Sequence, residues 1–251
     1  MINLITSFFR PENTERLNEL ITCLKNNIDC QYIKKIYLFM ESKEDIKFLK
    51  QEIKITRNKI QLILWNKQPF YSDYLNLANQ LKGEICMISN ADIWLKSCDT
   101  DLINLVKTKK NIGYALTRHE FDMSSRLIDI FSPYQMSFDS FIFKSPIYID
   151  LKLISHQQNR MGSENVFKRE LEKMNISFFN PCKDIVIVHE HKSKLRNYGE
   201  DMLFDASYNY IYNNTLIYTP VISKQQLLKI INQPPPSGKS FKSTAALFGQ
   251  H

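Results

Sequence analysis

Four short stretches gather side chains that can bind cations, hold phosphates or move protons. In "EICMISNADIWLK", residues 84 to 96, an apolar run from Ile85 to Ile88 ends in Ser89, Asn90, Ala91 and Asp92 before apolar residues resume. An unpaired buried carboxylate is costly, so Asp92 must meet a cation, hydrogen-bond donors or solvent. A divalent ion bridging it to a diphosphate meets that need, since Mg²⁺ and Mn²⁺ take oxygen ligands and few protein carboxylates. A strand-to-turn Asx motif accounts for the same residues without a ligand.

In "VIVHEHKSKLRNY" the extended segment puts His189 and His191 on one side, where they can share a metal or a phosphate. Arg196 and Tyr198 follow and add a phosphate-binding guanidinium and a phenol. A hydrogen-bonded surface pair of histidines is the plainer alternative. "RMGSENVFKREL" reads as a helix start, with Ser163 as N-cap after Gly162 and Glu164 and Asn165 in the first turn. A carboxylate placed there, facing a crevice, can equally be a general base. Asp139 in "SFDSFIF" is an isolated acid amid aromatics, where burial demands a partner for its charge.

The elements that must position these groups follow from periodicity. Residues 2 to 8, "KKIYLFMES", "KIQLILWN" and the run before Asn90 read as buried strands. Between them lie helices, the first with Leu17, Leu20, Ile21, Leu24 and Ile28 at helical spacing and the third in "YSDYLNLANQLKG", where Gly83 suits a left-handed C-terminus. This alternation argues a parallel sheet covered by helices on both faces. Ligands of such sheets bind beyond the carboxyl ends of the strands. There stand Thr6, Ser7, Arg10, Glu41, Ser42, Asn66 and the stretch Asn90 to Asp92.

The second half is less regular: a helix from Thr100 to Lys109, strand "IGYALT", a polar loop with Arg118, His119, Glu120 and Asp122, then "SFDSFIFK", the Glu164 helix, and strands "ISFF" and "DIVIVHEH". Residues 1–232 are expected to form a single domain, with a nucleotide-binding half over about 1–98 and an acceptor half over about 99–232. Residues 233–251, "QPPPSGKSFKSTAALFGQH", read as a flexible tail or linker. Their "SGKS" lacks the upstream glycine and preceding strand of a phosphate-binding loop.

Composition narrows the function classes. A hydrophobic fraction of 43% supplies a large core and excludes disorder as the default. The net charge of +7 suggests an anionic partner, whether nucleic acid, an acidic membrane surface or a phosphorylated small molecule. The lysines are scattered, without a helix-turn-helix, zinc-finger or aromatic RNA-binding signature, so no nucleic-acid partner is expected. Five cysteines without a CxxC pair leave at least one unpaired and point to reduced thiols in an intracellular protein. "MINLITSFFRPENTERL" lacks the features of a signal peptide, and no segment approaches the roughly 20 apolar residues of a membrane span. The expected location is cytoplasmic, with peripheral contact to a membrane surface left open.

Taken in order, "LITSFFRP", "ISNADIWL", "ALTRHEFD", "SFDSFIFK", "MGSENVFKREL", "FFNP" and "VHEHKSKLRNY" resemble a glycosyltransferase of the GT-A fold, similar to family 2 enzymes and to small viral and bacterial sugar transferases. The resemblance spans roughly residues 2 to 200 and implies an α/β fold with a mixed, mainly parallel central sheet. It implies a nucleoside diphosphate sugar donor, UDP-linked, a glycan or other hydroxyl acceptor, and a Mn²⁺ or Mg²⁺ ion. The DxD motif of that fold corresponds here to Asn90, Ala91 and Asp92, with an amide in place of the first acid. Asp92 is then the metal ligand, completed by His191 or His189.

The resemblance further implies that Thr6, Ser7, Arg10 and Glu41 surround the nucleotide, with Tyr71, Asp73 and Tyr74 beside it. Arg118, Arg196 and Tyr198 join the donor-binding set, and Arg196 stabilises the departing diphosphate. Glu164 falls where inverting members place their base, and Asp139 holds a sugar; in a retaining enzyme the two exchange importance. Two other readings remain: a nucleotidyltransferase making sugar nucleotides, which "ITSFFRPENTER" disfavours by containing no glycine, and a catalytically silent sugar-binding module, which Asn90 favours.

Overall fold

The computed structural model describes residues 1–53, 58–109, 111–120, 138–160, 162–193 and 219–232. The tail from 233 onward lies outside the described residues.

Period-2 alternation builds the central sheet. Strands β1 (Ile2–Phe8), β2 (Ile33–Met40), β3 (Ile60–Leu64) and β4 (Ile85–Ser89) are parallel to one another. Their side chains alternate between two apolar layers. Leu4, Ile36, Leu38 and Met87 pack in one layer, while Ile5, Tyr37, Phe39, Cys86 and Ile88 pack in the other. Strands β6 (Ile112–Leu116), β8 (Ser140–Lys144) and β9 (Ser177–Phe179) extend the sheet to the order β3-β2-β1-β4-β8-β6-β9, in which β8 runs antiparallel to both neighbours. The sheet is therefore mixed and mainly parallel.

Helices cover both faces, as the continuous apolar strands require. Helices α1 (Thr14–Asp29), α2 (Lys43–Glu52), α4 (Thr100–Thr108) and α6 (Lys224–Asn232) send Leu20, Leu49, Leu102 and Leu227 into the first layer. Helices α3 (Tyr71–Gln80) and α5 (Ser163–Glu172) send Tyr74, Ala78, Phe167 and Leu171 into the second. Local capping sets the helix starts: Asn13, Ser42 and Asp99 each accept a backbone N–H of the following first turn. Gly83 adopts φ of +81°, the left-handed conformation expected after α3.

The apolar residues after Asp92 do not continue the central sheet. They form β5 (Ile93–Cys98), which joins β10 (Ile185–His189) and the two-residue β7 (His119–Glu120) in a separate three-stranded sheet, order β5-β10-β7. Asn90, Ala91 and Asp92 are thus the corner at which the chain leaves one sheet for another. In this second sheet His189 pairs with Ile93 on one side and with Glu120 on the other. All five cysteines are buried and unpaired. Among the described residues no helix is long and apolar enough to cross a membrane.

Candidate active site at the strand ends

Asn90 hangs from the end of β4 beside the residue that precedes β8. Its backbone N–H donates to the Asp139 carbonyl at 3.1 Å, and its side-chain Nδ2 donates to Asp139 Oδ1 at 3.1 Å. An acid at position 90 would face a second carboxylate, so the amide is matched to its neighbour. Asp139 is not the isolated acid its aromatic context suggests. Arg118, at the end of β6, donates Nη1 to Asp139 Oδ1 at 3.0 Å and Oδ2 at 3.1 Å.

From Asp139 a line of alternating charge runs to Arg16 and Glu19. Arg118 Nε donates to Glu120 Oε1 at 2.7 Å. Glu120 Oε2 lies 2.9 Å from His189 Nδ1, and His189 Nε2 lies 3.1 Å from Asp92 Oδ2. Arg16, in the first turn of α1, donates Nη2 to the same Asp92 oxygen at 2.6 Å and Nη1 to Glu19 Oε2 at 2.8 Å. Glu19 in turn accepts the backbone N–H of Ser193 at 2.6 Å.

Each acid in the line meets at least one cation, which is what these buried and half-buried charges need. Burial alone would raise the Asp92 carboxyl, yet the His189 bond and Arg16 hold it well below the usual carboxylate range. Burial would likewise lower His189, but its bonds to Asp92 and Glu120 push it up to about 9. Burial also works to raise Glu120, and its bonds from His189 and Arg118 outweigh it.

Asp92, His189 and His191 form the one group among the described residues whose ligand atoms could hold a metal, all within 4.8 Å of one another. The imidazoles of His189 and His191 stack at 5.0 Å, on one side of the extended segment as its periodicity requires. The donor set fits a divalent cation. One carboxylate and two imidazoles are a common mixed shell, and Glu120 braces His189 through Nδ1 in the manner that orients metal-ligating histidines. His191 Nε2 is buried without a hydrogen-bond partner, an orphan that points to a missing ligand or solvent.

Glu164 belongs to the second feature. Gly162, with φ of +83°, turns the chain into α5 and is itself the N-cap; Ser163 does not cap the helix as the sequence suggests. Its hydroxyl donates instead to the Gln158 carbonyl at 2.9 Å and lies 3.3 Å from Glu164 Oε2. Burial, and then the nearby Asp139 charge, push the Glu164 carboxyl up to about 8 despite its place in a helix first turn. A carboxyl so poised can take a proton near neutral pH. Asn165 Oδ1 beside it is buried and unpartnered.

The remaining predicted residues are distributed as follows. Thr6 is buried at the end of β1 with Oγ1 unpartnered, and Ser7 hydrogen-bonds the Tyr74 phenol. Arg10 is exposed and lies over the Phe48 ring at 4.8 Å from its centroid. Glu41 is half-buried, and burial together with Asp45 raises its carboxyl. Tyr71 and Tyr74 are each 1% exposed and build the aromatic core; Tyr71 stacks on Phe167 at 4.4 Å. Asp73 accepts from the Phe70 N–H at 2.9 Å and Trp65 Nε1 at 3.1 Å, fixing the start of α3. Ala91 packs against the first apolar layer. Arg196 and Tyr198 lie outside the described residues.

Sequence reasoning missed Arg16, Glu19 and the bracing role of Glu120. The available signal for Arg16 was its place one residue before the apolar stripe of the helix that follows β1, at the ligand-binding end of the sheet.

Neither a protein-family model nor a curated protein matches the chain. Solved structures do. A mannosyltransferase from Pyrobaculum calidifontis, in complex with GDP-Man and Mn²⁺, superposes with a TM-score of 0.51 at 14% identity over 78% of this chain. TarS of S. aureus, residues 1–349 in complex with UDP-GlcNAc, is similar at 10% identity over 76% of this chain, with a TM-score of 0.48. The chain spans 58% of the length of that mannosyltransferase chain. The molecule thus has the GT-A-like fold of nucleotide-sugar glycosyltransferases, as the order of its motifs implies.

Proposed function

We propose that the protein is a metal-assisted glycosyltransferase that moves a sugar from a nucleoside diphosphate sugar to a glycan or other hydroxyl acceptor. The observation that carries this reading is the continuous line of bonded side chains that joins two groups. A cation-binding trio, Asp92, His189 and His191, is joined through Asn90 and the Arg118–Glu120 pair to an acid corner of Asp139 and the raised Glu164. That pairing supplies what the reaction needs, a cation-binding place for the leaving diphosphate and a base for the attacking hydroxyl.

Asp92, His189 and His191 would hold Mn²⁺ or Mg²⁺. Such an ion supplies charge stabilisation to a departing diphosphate. The rest falls to the chain's own residues. Glu164 accepts the acceptor's hydroxyl proton at a carboxylate oxygen, which requires its ionised form. Asp139, gripped by Arg118 and Asn90, keeps lone pairs for a sugar hydroxyl while its rotamer is fixed. Thr6 Oγ1, buried and unpartnered at the end of β1, is placed to meet the nucleotide. Arg196 and Tyr198, though outside the described residues, follow directly on the His191 segment and are assigned to the diphosphate.

The test is release of nucleoside diphosphate from a panel of UDP- and GDP-sugars with Mn²⁺, with and without hydroxyl acceptors. Turnover with one donor, lost in Glu164→Gln, supports the assignment. No turnover with any donor, or unchanged turnover in the variant, counts against it.

A further inference from the structure

Arg16 makes a set of contacts that a bound cation would have to break. Its Nη2 donates to Asp92 Oδ2 at 2.6 Å, and its Nη1 lies 2.8 Å from Glu19 Oε2, 3.4 Å from the Glu190 carbonyl and 3.1 Å from His191 Nδ1. A guanidinium has no lone pair, so His191 Nδ1 must be the acceptor in this contact and its ring proton sits on Nε2. That Nε2 is the atom left buried without a partner. The arrangement therefore ties up Asp92 Oδ2 and the His191 Nδ1 lone pair and leaves the His191 Nε2 donor unsatisfied.

The guanidinium and a divalent ion compete for this corner, because both carry positive charge and both draw on Asp92 and His191. The guanidinium side chain is 17% exposed, so driving it off Asp92 leaves a largely buried cation facing Glu19 and the Glu190 carbonyl. An incoming diphosphate removes that cost, because a guanidinium pairs with phosphate oxygens as well as with carboxylate. Arg16 also sits in the first turn of α1, directly after β1, at the end of the sheet where the anion arrives. Glu19, held by Ser193, gives Arg16 a second carboxylate partner beside the corner.

We propose that Arg16 is, beside His189, a resident counter-cation of the Asp92–His191 corner, which a divalent ion must displace, and that a diphosphate promotes the exchange by taking the guanidinium over. The inference rests on the metal-assisted reading of the site. By linkage, cation and nucleotide then strengthen each other's binding by the same factor.

The experiment is calorimetric titration of Mn²⁺ into the wild-type protein and Arg16→Gln, each alone and with UDP or GDP present, together with the Mn²⁺-induced shift in Tm. Expected in the wild type is weak Mn²⁺ binding alone that tightens about tenfold or more with nucleotide. In Arg16→Gln, Mn²⁺ alone is expected to bind about tenfold more tightly than to wild type, with the nucleotide effect largely lost. Should that variant not fold, Arg16→Met, which keeps an apolar stem and carries no charge, is read in the same way, and it too must bind Mn²⁺ alone more tightly than wild type. Equal Mn²⁺ affinity in wild type and variants, including no binding to any, overturns the proposal. A gain of Mn²⁺ affinity in Arg16→Gln with no UDP or GDP binding to either protein upholds the guanidinium's hold on the corner and overturns the transferase reading instead.

Discussion

Asn90 Nδ2 donates to Asp139 Oδ1 at 3.1 Å, and this one bond explains why an amide stands where the related fold has its first DxD acid. The position is occupied by the partner that Asp139 requires. Its departure from the acidic pattern is a local electrostatic match. Asn90→Asp sets a second carboxylate against Asp139 and deletes a charge-assisted hydrogen bond, with an expected loss of about 2 kcal/mol. Asn90→Ala removes the bond without adding charge and should lose less. Urea denaturation of the two variants at pH 7 gives the order, and equal losses would remove the charge argument.

Glu164 gives a pH dependence of defined sign. Its native carboxyl is raised to about 8, above an unfolded value of about 4.3, so the native state holds the proton more tightly. The associated stability is complete below the unfolded value and is lost as pH rises through the native one. Wild-type stability should therefore decline between about pH 4.5 and 8 more steeply than that of Glu164→Gln. Activity has the opposite sense, since Glu164 as the proposed base must be ionised: kcat/KM should climb toward pH 8 and level off above it, and Glu164→Gln should lose roughly 10²- to 10⁴-fold. A pH-independent kcat/KM between 6 and 9 (roughly the window around that value) would remove Glu164 as the base.

Gly162 sets the position of the proposed base, Glu164. An alanine there costs about 1–2 kcal/mol for the left-handed backbone at φ of +83° and tilts the first turn of α5. Gly162→Ala should consequently lower kcat more than it raises KM, while the fold, read by circular dichroism, persists. An effect confined to Tm would make the glycine a purely structural residue.

Gly113 offers a control in the core. A Cβ built there meets the Phe178 ring at 2.6 Å, so Gly113→Ala is expected to destabilise by about 1–3 kcal/mol with little effect on the kinetics of the molecules that fold. Thermal unfolding beside specific activity per folded molecule checks this.

Much of the fold was legible because its information is local. The β1-to-β4 strands are continuous apolar runs, and their helices carry caps and stripes that can be read within a dozen residues. The second sheet was not legible. β7 is only two residues, His119 and Glu120, and its pairing with His189 depends on contacts far apart in the chain. Without that pairing Glu120 was one charge in a polar loop, and its grip on His189 could not be foreseen. Arg16 was hidden for a similar reason: alone it is an ordinary helix residue, and only the β5–β10 corner brings Asp92 to it. Ser163 shows a limit of local rules, since the left-handed Gly162 supplied the cap and freed the hydroxyl for the Gln158 carbonyl.

The central claim is that Asp92, without an acidic neighbour at Asn90, still anchors a cation and a nucleoside diphosphate together. Calorimetric titration of UDP and GDP in the presence of Mn²⁺, into the wild type and into Asp92→Asn, tests it most directly. One of the two nucleotides should bind the wild type and weaken by roughly tenfold or more in the variant. Binding of neither, or equal binding to both proteins, would contradict the account.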